Sequence, residues 1–130
     1  MTITFTVPLP PACLHPNSRA HWRTKASARI GYRYDVALCV RERLGPVLPR
    51  LERATVELRF LTRTDHRHDA DNLVAWAKPL VDTLCASKHA KDGTPRLGII
   101  PDDGPDHLTW GTVTQAKGSP VGVLVTLTGE

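Results

Sequence analysis

Asp69-Ala70-Asp71-Asn72 stands where a strand-like alternation gives way to a helical pattern, and a second acidic pair, Asp102-Asp103, follows the apolar run Leu97-Gly98-Ile99-Ile100-Pro101. Carboxylates two apart in an extended segment project to the same side. Hard divalent cations such as Mg²⁺ take oxygen ligands from one or two such groups and leave positions for phosphate and water. These residue types suit metal-assisted phosphodiester cleavage, with Asp69 and Asp71 as ligands and one of Asp102 or Asp103 completing the site after the turn at Pro101. The same acids also have a plain structural use. Asp and Asn are favoured helix caps, and acidic side chains near a helix N-terminus are stabilised by the macrodipole.

Lys78 has the charge to contact a phosphate, and Asp71, Lys78 and Asp82 are seven and four residues apart. At about 100° per residue they share one narrow helical sector. In an ordinary surface role Lys78 would simply pair with Asp82 one turn on. His66, Arg67 and His68 precede the acids and could touch phosphate, or add a nitrogen ligand if Mn²⁺ is used. A His68-Asp69 dyad of the metal-phosphohydrolase kind needs further histidines on neighbouring helices, and here it follows a strong strand. Cys13, His15 and His21 could form a zinc site on paper, but Pro16 and a helix cap between them favour a structural loop.

The elements that must position these groups fit one compact domain, residues 1–130, since 130 residues with 41% hydrophobic content leave little room for a second. The net charge is +4, and it is unevenly spread: residues 19–43 carry seven basic residues (Arg19, Arg23, Lys25, Arg29, Arg33, Arg41, Arg43) against Asp35 and Glu42, leaving the rest of the chain at about −1. Cys13, Cys39 and Cys85 are far apart and read as reduced, partly buried thiols. The first twenty residues lack a signal core, and no stretch approaches the roughly eighteen apolar residues of a membrane span. These features point to a cytoplasmic protein with no membrane partner.

Thr2 to Leu9 alternates like a half-buried strand stopped by Pro8, Pro10 and Pro11. Asn17 or Ser18 is placed to cap a long helix reaching Leu44, with Trp22, Ala26, Ile30, Tyr34, Ala37 and Leu38 as its apolar row and Gly45-Pro46 as its stop. Lys25, Arg29 and Arg33 form a separate basic ladder. That ladder is either the solvated face of the helix or a track for backbone phosphates. Ala54 to Leu61 is a strand aimed at the acidic cluster, and Ala70 to Ala86 is a helix that Pro79 must kink or restart. After a polar loop from Lys88 to Arg96, the strands His107 to Gln115 and Val121 to Thr128 are expected to form a terminal hairpin. The order β-α-β-α-β-β predicts an α+β domain with helices packed on a small mixed sheet.

Three ordered motifs, His68-Asp69-Ala70-Asp71-Asn72-Leu73, Lys78-Pro79-Leu80-Val81-Asp82 and Gly98-Ile99-Ile100-Pro101-Asp102-Asp103, resemble those of the RusA family of Holliday-junction endodeoxyribonucleases. Leu14-His15-Pro16-Asn17-Ser18-Arg19 and His21-Trp22-Arg23 also resemble the N-terminal region of phage-type members. The resemblance implies a small α+β fold, a homodimer, Mg²⁺ dependence and paired nicks across a four-way DNA junction. Carried over by motif, Asp69, Asp71 and one of Asp102 and Asp103 match the acidic metal-binding positions and Lys78 the catalytic lysine; Asn72 and Asp82 stand in the same motifs. Lys78 follows Asn72 one helical turn later than in the family's best-known pattern, and His68 stands where an Arg is usual. The basic residues Arg19, Arg23, Lys25, Arg29, Arg33 and Arg67, with His68, are the candidate DNA contacts, and the polar segment from Lys88 to Leu97 is a further candidate for partner or DNA. A non-catalytic branched-DNA-binding module of the same fold, or a flap or fork nuclease, is the alternative.

Overall fold

Thr2–Val7 forms β1, which turns Ile3, Phe5 and Val7 inward and its threonines outward. The computed structural model of the chain describes residues 1–64, 67–86 and 93–130; His66 and most of the loop after Ser87 lie outside the described residues. A 3-10 turn at Ala12–Leu14 leads into α1, Trp22–Leu44. The helix begins later than Asn17 or Ser18 would place it, because side chains there hold the backbone in local turns. The Asn17 N–H donates to His15 Nδ1 at 3.2 Å and the Ala20 N–H to Ser18 Oγ at 3.2 Å. Such bonds compete with helix formation. The true cap is His21, whose Nδ1 accepts the Arg23 N–H at 3.1 Å. The helix stops where expected: Gly45 takes a φ of 88° and its N–H donates to the Arg41 carbonyl at 2.9 Å, a conformation glycine adopts without a Cβ clash.

The buried face of α1 differs from the expected one. Tyr32, Arg33, Val36, Ala37 and Val40 are buried, while Trp22, Ile30, Tyr34 and Leu38 are exposed. A row at fourfold spacing drifts about 40° per step around the helix, so the row that begins at Trp22 winds away from the sheet. The Tyr32 hydroxyl donates to the Pro8 carbonyl at 2.7 Å and ties the helix to the end of β1.

The sheet contains β2 (Ala54–Thr62), β3 (Leu108–Lys117) and β4 (Gly122–Gly129) beside β1, in the order β1-β4-β2-β3. β4 runs antiparallel to both β1 and β2, and β2 runs parallel to β3. The expected terminal hairpin therefore does not form, since β2 lies between β3 and β4. Val123, Val125 and Leu127 of β4 are fully buried, whereas β3 buries Leu108 alone and exposes threonines. A strand with an apolar inner row leaves water best in the middle of a sheet, and a polar one tolerates the edge. β3 carries a bulge opposite Val56 to Leu58. A Cβ on Gly111 would sit 2.9 Å from the Glu57 side chain and 3.0 Å from that of Thr55, so a larger residue would push these neighbours aside.

The crossover between β2 and β3 is two short helices in place of one long one: α2, Ala70–Trp76, and α3, Lys78–Leu84. Pro79 lies in the first turn of α3, the restart its missing N–H requires. Leu73 and Trp76 of α2 and Leu80, Val81 and Leu84 of α3 cover the sheet together with α1. The result is a single α+β domain with helices on one face of a four-stranded mixed sheet. Its cysteines are free thiols, Cys13 and Cys39 partly buried and Cys85 buried. Among the described residues no helix is long and apolar enough to cross a membrane.

Candidate functional site

The apolar run before Asp102 is stitched against the end of α3. The Leu97 N–H donates to the Thr83 carbonyl at 2.8 Å, the Ile99 N–H to Leu84 at 2.9 Å, and the Ala86 N–H returns to Ile100 at 2.8 Å. Ile99 and Ile100 are fully buried. Burial and pairing together deliver the next turn, Asp102-Asp103, to the side of α3. There Lys78 donates to Asp103 Oδ2 and lies 3.3 Å from Asp82 Oδ1 one turn on. Asp102 Oδ1 accepts the Asp103 N–H at 2.8 Å.

Asp82 is gripped from behind. Arg33, only 7% exposed, places Nη2 at 3.3 Å from Asp82 Oδ2 and donates from Nη1 to Thr94 Oγ1 at 3.2 Å. Asp82, Cys85, Ala86, Arg96, Asp102 and Asp103 line a cleft of about 190 Å³. The hydrogen bond and charge of Lys78 outweigh burial and hold the Asp103 carboxyl below its ordinary value. Burial works against the Lys78 ammonium, but Asp103 and Asp82 outweigh it and raise its pKa. Burial, with the charges of Asp103, Asp82 and Asp102, pushes the Cys85 thiol up to about 12, so it is protonated at neutral pH.

Asp69 and Asp71 precede the Ala77 break between the two helices. They straddle the start of α2 and do not lie on an extended strand: Asp69 is its N-cap with ψ 150°, and Asp71 is in its first turn. Asp69 makes no side-chain cap bond, and both carboxylates are exposed. Asn72 is half-buried beside the core residue Leu73. The approach to Asp69 is anchored by Gln115 of β3, whose Oε1 accepts the His68 N–H at 2.9 Å and whose Nε2 donates to Thr62 Oγ1 at 3.1 Å. The Lys78–Asp82 pair of the expected one-face trio forms, and the break at Ala77 separates Asp71 from it. Among the described residues no three His, Cys, Asp or Glu side chains converge closely enough to hold a metal by themselves. The donor chemistry still suits Mg²⁺: Asp69, Asp71 and Asp102 present carboxylate oxygens to solvent, and this ion is commonly held through one or two carboxylates with water and substrate phosphate supplying the rest.

The basic residues divide into two groups. Arg19, Arg23, Arg29 and Arg67 are exposed, Arg23 lying over the Trp22 ring at 5.3 Å and Arg67 reaching the Gln115 carbonyl at 3.4 Å. Lys25 is tied back to the Ser18 carbonyl at 2.9 Å. Arg33 is the correction. It lies inside, because it stands three and seven residues before Val36 and Val40 on the buried face, and its charge is spent on Asp82. Arg33→Met is expected to cost about 1–3 kcal/mol of stability by removing a donor from Asp82 and Thr94, while leaving the salt dependence of any DNA binding unchanged. Arg29→Ala is expected to do the reverse, shifting stability by less than about 0.5 kcal/mol and making the salt slope shallower by about one. Urea titration and binding isotherms over a range of salt separate the two.

His15, His68 and Trp76 form a cluster that sequence reasoning did not assemble. The His15 and His68 ring centroids are 4.4 Å apart, and His15 meets the Trp76 ring edge-on at 5.6 Å. Their common signal is aromatic character alone, on three separate segments. His21 is used as a helix cap and His15 packs in this cluster, in keeping with a structural loop around Cys13, His15 and His21. No protein-family model matches the chain, and a search of curated proteins returns no match.

Proposed function

We propose that this protein is a metal-dependent, structure-selective DNA endonuclease that resolves four-way junctions by paired phosphodiester cleavage, in DNA recombination and repair. One observation carries the reading: Asp69 is the N-cap of α2 but its side chain makes no cap bond, and Asp69 and Asp71 stand open to solvent although a purely structural acid at that position would bond the helix N–H groups. Asp69, Asp71 and one of Asp102 and Asp103 would hold Mg²⁺, or Mn²⁺. When bound, the ion supplies water activation and charge stabilisation at the scissile phosphate. Lys78 contributes a fixed positive charge for the phosphate, aimed by Asp82 and Asp103 and backed by Arg33. Arg19, Arg23 and Arg29, with Arg67, would follow the strand backbone.

The reading includes a homodimer, since two symmetry-related sites address two equivalent strands of a symmetric junction, and a cytoplasmic location. A non-catalytic branched-DNA-binding module is the second reading, favoured by the mutual satisfaction of Lys78 and Asp103 and by the lack of three converging ligands among the described residues. The test is cleavage of a synthetic four-way junction beside matched linear duplex and flap DNA, with Mg²⁺, Mn²⁺ or EDTA. Symmetric metal-dependent nicks at the junction are expected. Cutting of flaps or forks alone would retain the chemistry and change the substrate, and binding without cutting would replace the nuclease by the binding module.

A further inference from the structure

Ala12, His15, Asn17, Ser18, His68 and Trp76 line a hollow of about 400 Å³, within the roughly 300–1,000 Å³ of small-molecule sites. Trp76 is its fixed wall. The indole is 7% exposed, stacks on Phe60 with centroids 5.6 Å apart and planes 13° from parallel, and donates from Nε1 to the Pro11 carbonyl at 2.9 Å. The His68 ring lies 5.9 Å from Trp76, and the His68 backbone is tied to Gln115. His68 is also the residue immediately before Asp69, so the chain itself joins the hollow to the first candidate ligand.

The lining selects among ligand chemistries. An anion cradle of the usual kind needs backbone N–H groups pointing inward, but the His68 N–H is committed to Gln115, the Asn17 N–H to His15 and the Ala20 N–H to Ser18. A transition metal needs a third donor, and none converges with the two imidazoles among the described residues. A flat heterocycle fits both parts of the wall. Its π face meets the His15 ring, its edge meets His68 and Trp76, whose planes are tilted 46° and 68° from His15, and its polar groups meet the side chains of Asn17 and Ser18.

We propose that the hollow between His15, His68 and Trp76 is a nucleobase subsite that takes one base unstacked from the strand whose phosphate lies at Asp69 and Asp71. The proposal rests on the nuclease reading and deepens it: a branch point supplies bases that leave the stack easily, and a base seated here fixes which phosphate stands at the acids.

The experiment is an abasic scan. Synthetic four-way junctions carry a single abasic site at each nucleotide position flanking the branch point, and affinity is measured in EDTA, where cutting does not interfere. One position is expected to weaken wild-type binding about 5- to 100-fold, the range for a base stacked on aromatic side chains. The same abasic site is expected to cost nothing in His15→Ala, whose intact-junction affinity is already reduced, and its penalty should return in His15→Phe, which restores a ring. Wild-type binding and cutting with no abasic penalty at any position would overturn the subsite and leave the nuclease standing. An equal penalty in wild type and His15→Ala would also overturn it. Failure to bind any DNA would overturn subsite and nuclease together.

Discussion

Asp71→Asn is expected to reduce junction cleavage by at least about 100-fold while junction binding in EDTA is kept or slightly tightened. Losing a group that merely orients a metal ligand commonly costs about 10–100-fold, and Asp71 is proposed as a ligand itself. Asparagine keeps the size and one oxygen but removes the charge that makes the carboxylate a good donor for a hard cation. The fold has little to lose. Asp71 is exposed in the first turn of α2 with no side-chain partner among the described residues, and asparagine is itself tolerated at helix starts, so the urea midpoint should hardly move. Asp82→Asn provides the contrast: it weakens the partner of the buried Arg33, so its cost is expected in stability as well as in rate. Cleavage by the Asp71 variant at the wild-type rate would remove α2 from the chemistry.

Phe60→Ala is expected to destabilise the protein by about 3–5 kcal/mol, the usual cost of deleting a buried aromatic ring. Phe60 is fully buried in β2, paired on one side with β4 and on the other with β3, and its ring lies flat against Trp76. A domain of this size holds about 5–15 kcal/mol in all, so the variant should be close to unfolding at physiological temperature. Leu38→Ala is expected to change stability by less than about 0.5 kcal/mol, because Leu38 is 59% exposed although the fourfold spacing on α1 places it in an apolar row. Chemical denaturation of both variants measures these costs, and the Leu38 variant checks the packing of α1 directly. A cost above about 2 kcal/mol for Leu38→Ala would mean that α1 presents its other face to the sheet.

The elements whose signals are local were legible in the chain. Alternation gave β1 and β2, Gly45 ended α1, and the missing N–H of Pro79 divided α2 from α3; each depends on a few neighbouring residues and on backbone sterics. The acidic motifs were legible for the same reason, since Asp69, Asp71, Asp102 and Asp103 stand in short runs of distinctive composition. Long-range packing was not. The position of β4 between β1 and β2 follows from how much apolar surface each strand must remove from water relative to the others, a comparison made across the whole sheet and not within a turn.

The same holds for α1, where two candidate rows compete and the sheet takes the one carrying Val36 and Val40, drawing Arg33 inside to meet Asp82. His15, His68 and Trp76 belong to three segments that touch only when the turn before α1, the approach to α2 and the end of α2 are folded together. The amino-acid sequence by itself determined the local elements and the kinds of chemistry present, because caps, breakers and periodicity act over a few residues. Only the tertiary structure decided which charges are spent on one another and which stand open, because burial and strand pairing are settled between residues distant in the chain.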